Sequence, residues 1–267
     1  MAASIQSTPV GRGDAWWARL AVTAFCFTLF GLGGLVLGLA IFPIYWLLPG
    51  GERARRERAR RTLALAMRAF VWLMSSLGGI SYEIHGAARF GRAGQLVIAN
   101  HPTMCDVIFL LGFSRDSCSI VKHQLFRNAF TALAVSQSGY VKNEPTDAMI
   151  EHASAVLQGG QSLIVFPQGT RSRPGEAMRF HRGAAAIALR AAEFITPVFI
   201  WCTPVVLGKG QPWYRVPPRR PHFVLQVGED LPLAPYRGER PPPVAARQLN
   251  QHLIELYEAR LSAGPLH

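Results

Sequence analysis

Gln95-Leu96-Val97-Ile98-Ala99-Asn100-His101-Pro102-Thr103-Met104-Cys105-Asp106 holds the change from strand to helix on which the fold reading rests. Residues 95–99 are a short run of strand formers. The residue before a proline is pushed out of the helical region, so His101 falls on the turn, at the carboxyl end of the strand. In α/β sheets this is the edge where ligands bind, because loops there reach solvent from a rigid scaffold. A carboxylate can fix the tautomer of an imidazole and stabilise the imidazolium formed when the other nitrogen takes a proton. His101 and Asp106 are therefore candidate catalytic residues, a base and its orienting acid. Thr103 and Asp106 also read as a helix start ahead of Val107-Ile108-Phe109-Leu110-Leu111, with Thr103 capping and Asp106 favoured by the dipole. The two roles are compatible.

A second strand end strengthens the first. Leu163-Ile164-Val165-Phe166 reads as a buried strand running into Pro167-Gln168-Gly169-Thr170-Arg171-Ser172, a polar turn that contains a glycine. A guanidinium beside exposed backbone N–H groups suits a phosphate, through paired charge-assisted hydrogen bonds. The alternative for this stretch alone is an ordinary turn with a solvated arginine.

Together the two stretches resemble the glycerophospholipid acyltransferase family, whose pattern is NHxxxxD followed later by FPEGTRS. Here these are Asn100 to Asp106 and Phe166 to Ser172. Val121-Lys122-His123-Gln124-Leu125 resembles the family's K-x-x-L segment, Phe180-His181-Arg182-Gly183 its F-K-x-G helix start, and Ile195-Thr196-Pro197-Val198 its xxPV strand. The likeness runs from about residue 80 to 230, with order and spacing kept. Two departures stand out: Gln168 replaces the family glutamate, and Ser138 to Asn143 is a weak form of the GxxFIxR block, with Lys142 where a charge is expected. The resemblance implies an acyltransferase in which His101, oriented by Asp106, activates a lysophospholipid hydroxyl toward an acyl-CoA or acyl-carrier-protein thioester. Gln168, Gly169, Thr170 and Arg171 would then bind the acceptor, typically 1-acylglycerol-3-phosphate. The missing glutamate opens an alternative acceptor, a lyso-ornithine lipid or a glycolipid, and the arginines leave a further alternative, a non-catalytic membrane protein that binds anionic lipid. No cofactor and no metal are required.

The rest of the chain bears on where such chemistry would occur. Leu20 to Leu48 is apolar almost throughout, broken by Thr23, Thr28, four glycines and Pro43, and a helix needs about 20 such residues to cross a bilayer. Arg53, Arg55, Arg56, Arg58, Arg60 and Arg61 follow, which favours a cytoplasmic side for the domain beyond them. Leu63 to Leu77 reads as an interfacial or partly buried helix. A spanning helix and a shallow returning hairpin both fit the first segment; the family resemblance implies a membrane-embedded helix pair. The net charge of +12, from 28 basic and 16 acidic residues, suits an anionic partner. Because the arginines cluster beside the apolar run without interleaved aromatics, that partner is a membrane surface and not nucleic acid.

The expected organisation is a polar tail over 1–18, a membrane anchor over 19–78 and a catalytic domain over 79–267. Strands are expected at 95–99, 118–121, 162–166, 198–201 and 223–227. Helices are expected near 104–112, 123–135, 146–157 and 181–193, with a proline-rich linker over 237–243 leading to a last amphipathic helix. Alternating strands and helices give an α/β domain with a mostly parallel sheet flanked by helices. Cys26, Cys105, Cys118 and Cys202 have no disulfide or zinc spacing. Cys105, next to the proposed base, leaves open a thiol nucleophile that parks the acyl group, or less readily a metal site with His101 and His123.

Overall fold

The structure, a computed structural model, describes residues 5–6, 16–114, 116–144, 147–173, 175–238 and 241–265. Most of the expected tail, with Pro145, Thr146 and two linker residues, lies outside them. The sheet contains β1 (Ile5–Gln6), β2 (Ser81–His85), β3 (Gln95–Ala99), β4 (Ser117–Lys122), β5 (Val141–Asn143), β6 (Ser162–Val165), β7 (Phe194–Thr203), β8 (His222–Val227) and β9 (Leu231–Pro232). Its order is β1-β2-β8-β7-β3-β6-β4-β5, with β9 on β7. The run β7-β3-β6-β4-β5 is parallel throughout, while β7 pairs antiparallel with β8. The fold is thus α/β with a mostly parallel mixed sheet, as expected. β3 lies between two parallel neighbours and is buried at every residue, which is why it reads as an unbroken apolar run.

Helices α1 (Trp16–Leu47), α2 (Gly51–Ser76), α3 (Asp106–Phe113), α4 (Ala132–Gln137), α5 (Asp147–Gln158), α6 (Gly183–Ala191) and α7 (Pro242–Ser262) complete the chain. α3 covers one face of the sheet, where Phe109 meets Tyr82 and Phe223, and α2 packs over α3. On the opposite face the Tyr257 ring of α7 meets Phe199 of β7, and its hydroxyl donates to Ile98 O at 2.5 Å. The α2–α3 crossing is close: a Cβ on Gly112 would sit 2.9 Å from the backbone nitrogen of Arg68.

The N-terminal helices form an antiparallel hairpin. Phe30 stacks edge-on against Phe70 at 5.1 Å, and the Tyr45 and Thr62 hydroxyls bond at 2.6 Å. α1 does not fold back at Pro43. It widens over Leu37–Ile41, where the Phe42 N–H reaches Leu37 O, and so absorbs the donor that Pro43 lacks. Nor do the glycines break it, since Gly34 and Gly38 receive the 130–133 segment: an added Cβ would come within 2.2 Å of Phe130 O and 2.6 Å of Leu133 Cβ respectively. By length and composition α1 is able to cross a membrane, and most of its apolar surface is left uncovered, including Phe25, Leu32, Val36 and Leu39.

Several boundaries differ from expectation. α1 begins at Trp16, inside the expected tail, and the arginine cluster rides on α2 rather than preceding a separate helix. The single helix expected over 123–135 is two pieces, a short turn at His123–Phe126 and α4. Asn128 divides them, its side chain accepting the Phe130 N–H at 2.9 Å as local polar side chains do in turns. The short strands β2 and β5 were not anticipated, and α7 starts at Pro242, within the expected linker.

Candidate active site

β3 and β6 are adjacent and parallel, so the turns that follow them open at one sheet edge. Between these turns lies a cavity of about 1080 Å³. His101, Phe166, Gly169 and Arg171 line it, with Lys122 at the end of β4 and apolar Val107, Ile120, Leu125 and Ile187 further along. One large pocket with an apolar stretch and a polar, cationic end suits an amphiphile that carries an anionic group.

His101 Nδ1 lies 2.9 Å from Asp106 Oδ2. Asp106 is completely buried, while the His101 side chain keeps 16% of its surface open. Both carboxylate oxygens are engaged: Oδ2 also accepts the Thr103 N–H at 2.7 Å, and Oδ1 accepts the Thr103 hydroxyl at 2.6 Å. The Thr103 hydroxyl in turn accepts the Cys105 N–H at 3.2 Å. Helix start and orienting acid are therefore one structure, because the carboxylate that closes the turn also receives the imidazole. Burial pushes the Asp106 carboxyl above the ordinary carboxylate range, while its bonds to His101 and Thr103 pull the other way. With Nδ1–H directed at Asp106, Nε2 is the nitrogen available to take a proton. The imidazole is stacked on Phe166, ring centroids 4.3 Å apart, so the first residue past β6 supports the ring that stands past β3.

The backbone of this turn is held from two sides. Asn100 uses its amide as an extra rung between β3 and β7, donating to Ile200 O and accepting from Ile200 N–H, each at 2.8 Å. Gln168 Oε1 accepts the His101 N–H at 2.8 Å and its Nε2 approaches Met178 Sδ at 3.3 Å. The Ser172 N–H donates to His101 O at 2.8 Å. Gln168 was expected to touch the acceptor; it is absent from the cavity lining and instead ties the two turns together. A glutamate could make the same bond to His101 N–H, so the glutamine keeps the hydrogen-bonding oxygen while removing a charge.

Arg171 does face the cavity, and its Nη1 is anchored on Leu207 O at 2.7 Å and Gly208 O at 3.0 Å. Two carbonyls on one nitrogen fix the plane of the guanidinium, which leaves its other N–H edge geometrically suited to an oxyanion. Gly169 sits at φ +66°, a left-handed conformation that favours glycine, and His181 Cδ2 lies 3.1 Å from where a Cβ would be. Thr170 is not part of the cavity lining. Cys105 is buried, outside the lining, and burial drives its thiol far above the ordinary range. A neutral thiol in that position is a poor nucleophile.

Asn100, Thr103 and Phe166 are the site residues that the sequence reading gave no role at the reacting centre. Asn100 and Phe166 were quoted only as motif letters, and their partners lie 100 and 65 residues away.

Comparison with known proteins points the same way. The family model described as "Acyltransferase" matches residues 81–201, which contain both turns. The chain is 26% identical to the 1-acyl-sn-glycerol-3-phosphate acyltransferase of Pseudomonas aeruginosa over 182 residues, 66% of this chain and 69% of that protein. It is 28% identical to the enzyme of that name from Borreliella burgdorferi over 146 residues, 52% of this chain and 58% of the relative. With the alpha form from Mus musculus it shares 26% over 190 residues, 68% of this chain and 64% of that one. The crystal structure of the 1-acyl-sn-glycerophosphate acyltransferase PlsC from Thermotoga maritima superposes with a TM-score of 0.64 over 91% of this chain and 96% of that one. At 22% identity this likeness concerns the fold alone. Both turns lie inside the matched region, and the family match and these relatives together support placing the chain with the glycerophospholipid acyltransferases.

Proposed function

We propose that the protein is a membrane-bound acyltransferase that moves a fatty acyl group from acyl-CoA or acyl-carrier protein to the hydroxyl of a lysophospholipid. The acceptor we assign is 1-acyl-sn-glycerol-3-phosphate and the product phosphatidic acid. The observation that carries this reading is the imidazole held by a fully buried carboxylate at the mouth of a cavity with a cationic end.

His101 Nε2 takes the proton of the acceptor hydroxyl as its oxygen attacks the thioester carbonyl. The tetrahedral intermediate then collapses, breaking the C–S bond, and the departing thiolate leaves as a thiol with the proton from His101. Arg171, with the backbone at Gly169, holds the acceptor phosphate, so that the hydroxyl meets His101 without the entropic cost of free encounter. The apolar part of the cavity takes acyl chain. The uncovered apolar face of α1 supports anchoring to a bilayer that contains both lipids, and the arginines of α2 support a cytoplasmic orientation for the domain. Gln168 argues for no other acceptor, since its side chain is spent on the His101 peptide.

The test offers membranes carrying the protein or its His101→Ala form a panel of lyso-lipids with each donor and reads product mass. His101-dependent transfer to 1-acyl-sn-glycerol-3-phosphate is the expected result. Transfer to a different acceptor alone would replace the assigned substrate, and absence of His101-dependent transfer would remove the enzymatic reading.

A further inference from the structure

Residues 204–221 join β7 to β8 and link two places that the reaction scheme treats separately. Near its start the connection supplies the Leu207 and Gly208 carbonyls on which Arg171 is anchored, and Leu207 O also accepts the Met104 N–H at 3.2 Å. Leu207 is held at φ +53°, a conformation a leucine adopts only where its surroundings impose it. Near its end the connection is bound to the first turn of α1: Trp16 Nε1 donates to Val216 O at 2.9 Å, and Arg19 Nη2 donates to Pro217 O at 2.9 Å and Pro218 O at 2.7 Å. Between these ties stands a tip made of Trp213 and Tyr214, 44% and 58% exposed.

Two large aromatics so exposed call for an occupant, and the tip's position indicates which. Trp213 lies 6.2 Å from Phe27 of α1, so the tip continues the uncovered apolar surface of that helix. Lys209, Arg215 and Arg219 are exposed along the same connection, and residues 204–221 contain no Asp or Glu. Tryptophan and tyrosine beside a membrane helix, with cationic flanks, match the headgroup layer: an apolar body toward the chains, a polar edge toward water, and charges among phosphates.

We infer that the Trp213–Tyr214 tip is a second bilayer contact, seated in the headgroup layer beside α1. Because the same connection carries the carbonyls that hold Arg171, this seating sets the height of the phosphate-binding guanidinium relative to the lipid headgroups. The inference rests on the membrane-bound reading above, and the experiment separates the two.

The four native cysteines are buried, so single Trp213→Cys, Leu29→Cys and Arg247→Cys variants of the full chain can be labelled with an environment-sensitive fluorophore. They are mixed with phosphatidylethanolamine–phosphatidylglycerol vesicles that carry a lipid-borne quencher. Position 29 reports the α1 anchor, and position 247, on α7 across the sheet, should remain in water. Quenching at 213 and 29 but not at 247 is expected. Quenching at 29 with none at 213 overturns the tip contact and leaves the anchor, whereas silence at both overturns the two together. In a second arm, the double variant Trp213→Ala, Tyr214→Ala is given acceptor in vesicles or a short-chain acceptor dissolved below micelle formation. A loss of about 10-fold on vesicles, with the soluble acceptor within about two-fold of wild type, is the predicted pattern. Equal losses on both, or none on vesicles, would overturn the inference.

Discussion

His101 and Arg171 stand past the ends of neighbouring parallel strands, yet they are held in opposite ways. The imidazole is fixed by a short-range structure: a fully buried Asp106 whose two oxygens accept from Thr103 and His101, all within six residues of chain. The guanidinium is fixed at long range, by carbonyls 36 and 37 residues away in the connection between β7 and β8. A base that must present one tautomer gains from burial and saturation of its partner, since any rotation of the pair would misplace the proton. A binding group gains from being tied on one edge only, because the other edge must exchange water for substrate oxygen. In the proposed mechanism, proton transfer is thus built into the core and phosphate recognition onto a loop.

The sharpest way to break this contrast is His101→Ala, expected to lower kcat by about 10³-fold or more with little change in fold, measured as initial acyl transfer and by circular dichroism. Retained turnover would show that the buried pair is only a helix start. Asp106→Asn separates the two roles of the carboxylate. A fall of about 10²–10³-fold in kcat with KM nearly unchanged is expected, since the amide leaves the imidazole in the wrong tautomer. A pure capping role predicts instead a stability loss of about 1 kcal/mol and near-normal turnover.

Arg171→Ala should act through the other region, raising acceptor KM by about 10–50-fold and lowering kcat less, because a charge-assisted phosphate contact is worth about 1.5–3 kcal/mol. Arg171→Lys should recover only part of this, as a point charge cannot both hold two carbonyls and present an edge. An unchanged acceptor KM would sink the phosphate role. The smallest effects belong to the residue that joins the regions. Gln168→Ala should cost about 3–10-fold in kcat by freeing the His101 backbone, and Gln168→Glu should stay within about three-fold of wild type, since the bond to His101 N–H survives. A glutamate variant with a new acceptor preference would return Gln168 to substrate recognition.

How much of this was legible in the sequence follows the same division. The His101–Asp106 contact was readable because it is local: strand end, proline and helix start leave the two side chains few places to go. Buried parallel strands such as β3 and β6 were equally plain, as uninterrupted apolar runs bounded by turns. β2 was not, because Ser81-Tyr82-Glu83-Ile84-His85 alternates buried and half-buried positions and carries little apolar weight, and its pairing partner β8 lies some 140 residues on. The structural tie made by Gln168 was hidden for a related reason. Its motif position is visible in the sequence, but its bond to His101 exists only once β3 and β6 lie side by side, 67 residues apart in chain. The glycines of α1 looked like interruptions until the 130–133 segment was found against them.

The close crossing at Gly112 bears on how such a protein can be rebuilt. α3 opens with Asp106 and, two turns later, presses Gly112 onto the backbone of α2 with no room for a methyl group between them. The hairpin is therefore not a detachable module. A chimera that exchanges residues 16–76 for another hairpin while keeping the native α3 should misplace the orienting carboxylate, whereas one that also transplants residues 106–113 brings its own matched crossing. The natural cut for engineering runs through the sheet side of α3 and not through the loop at 77–80.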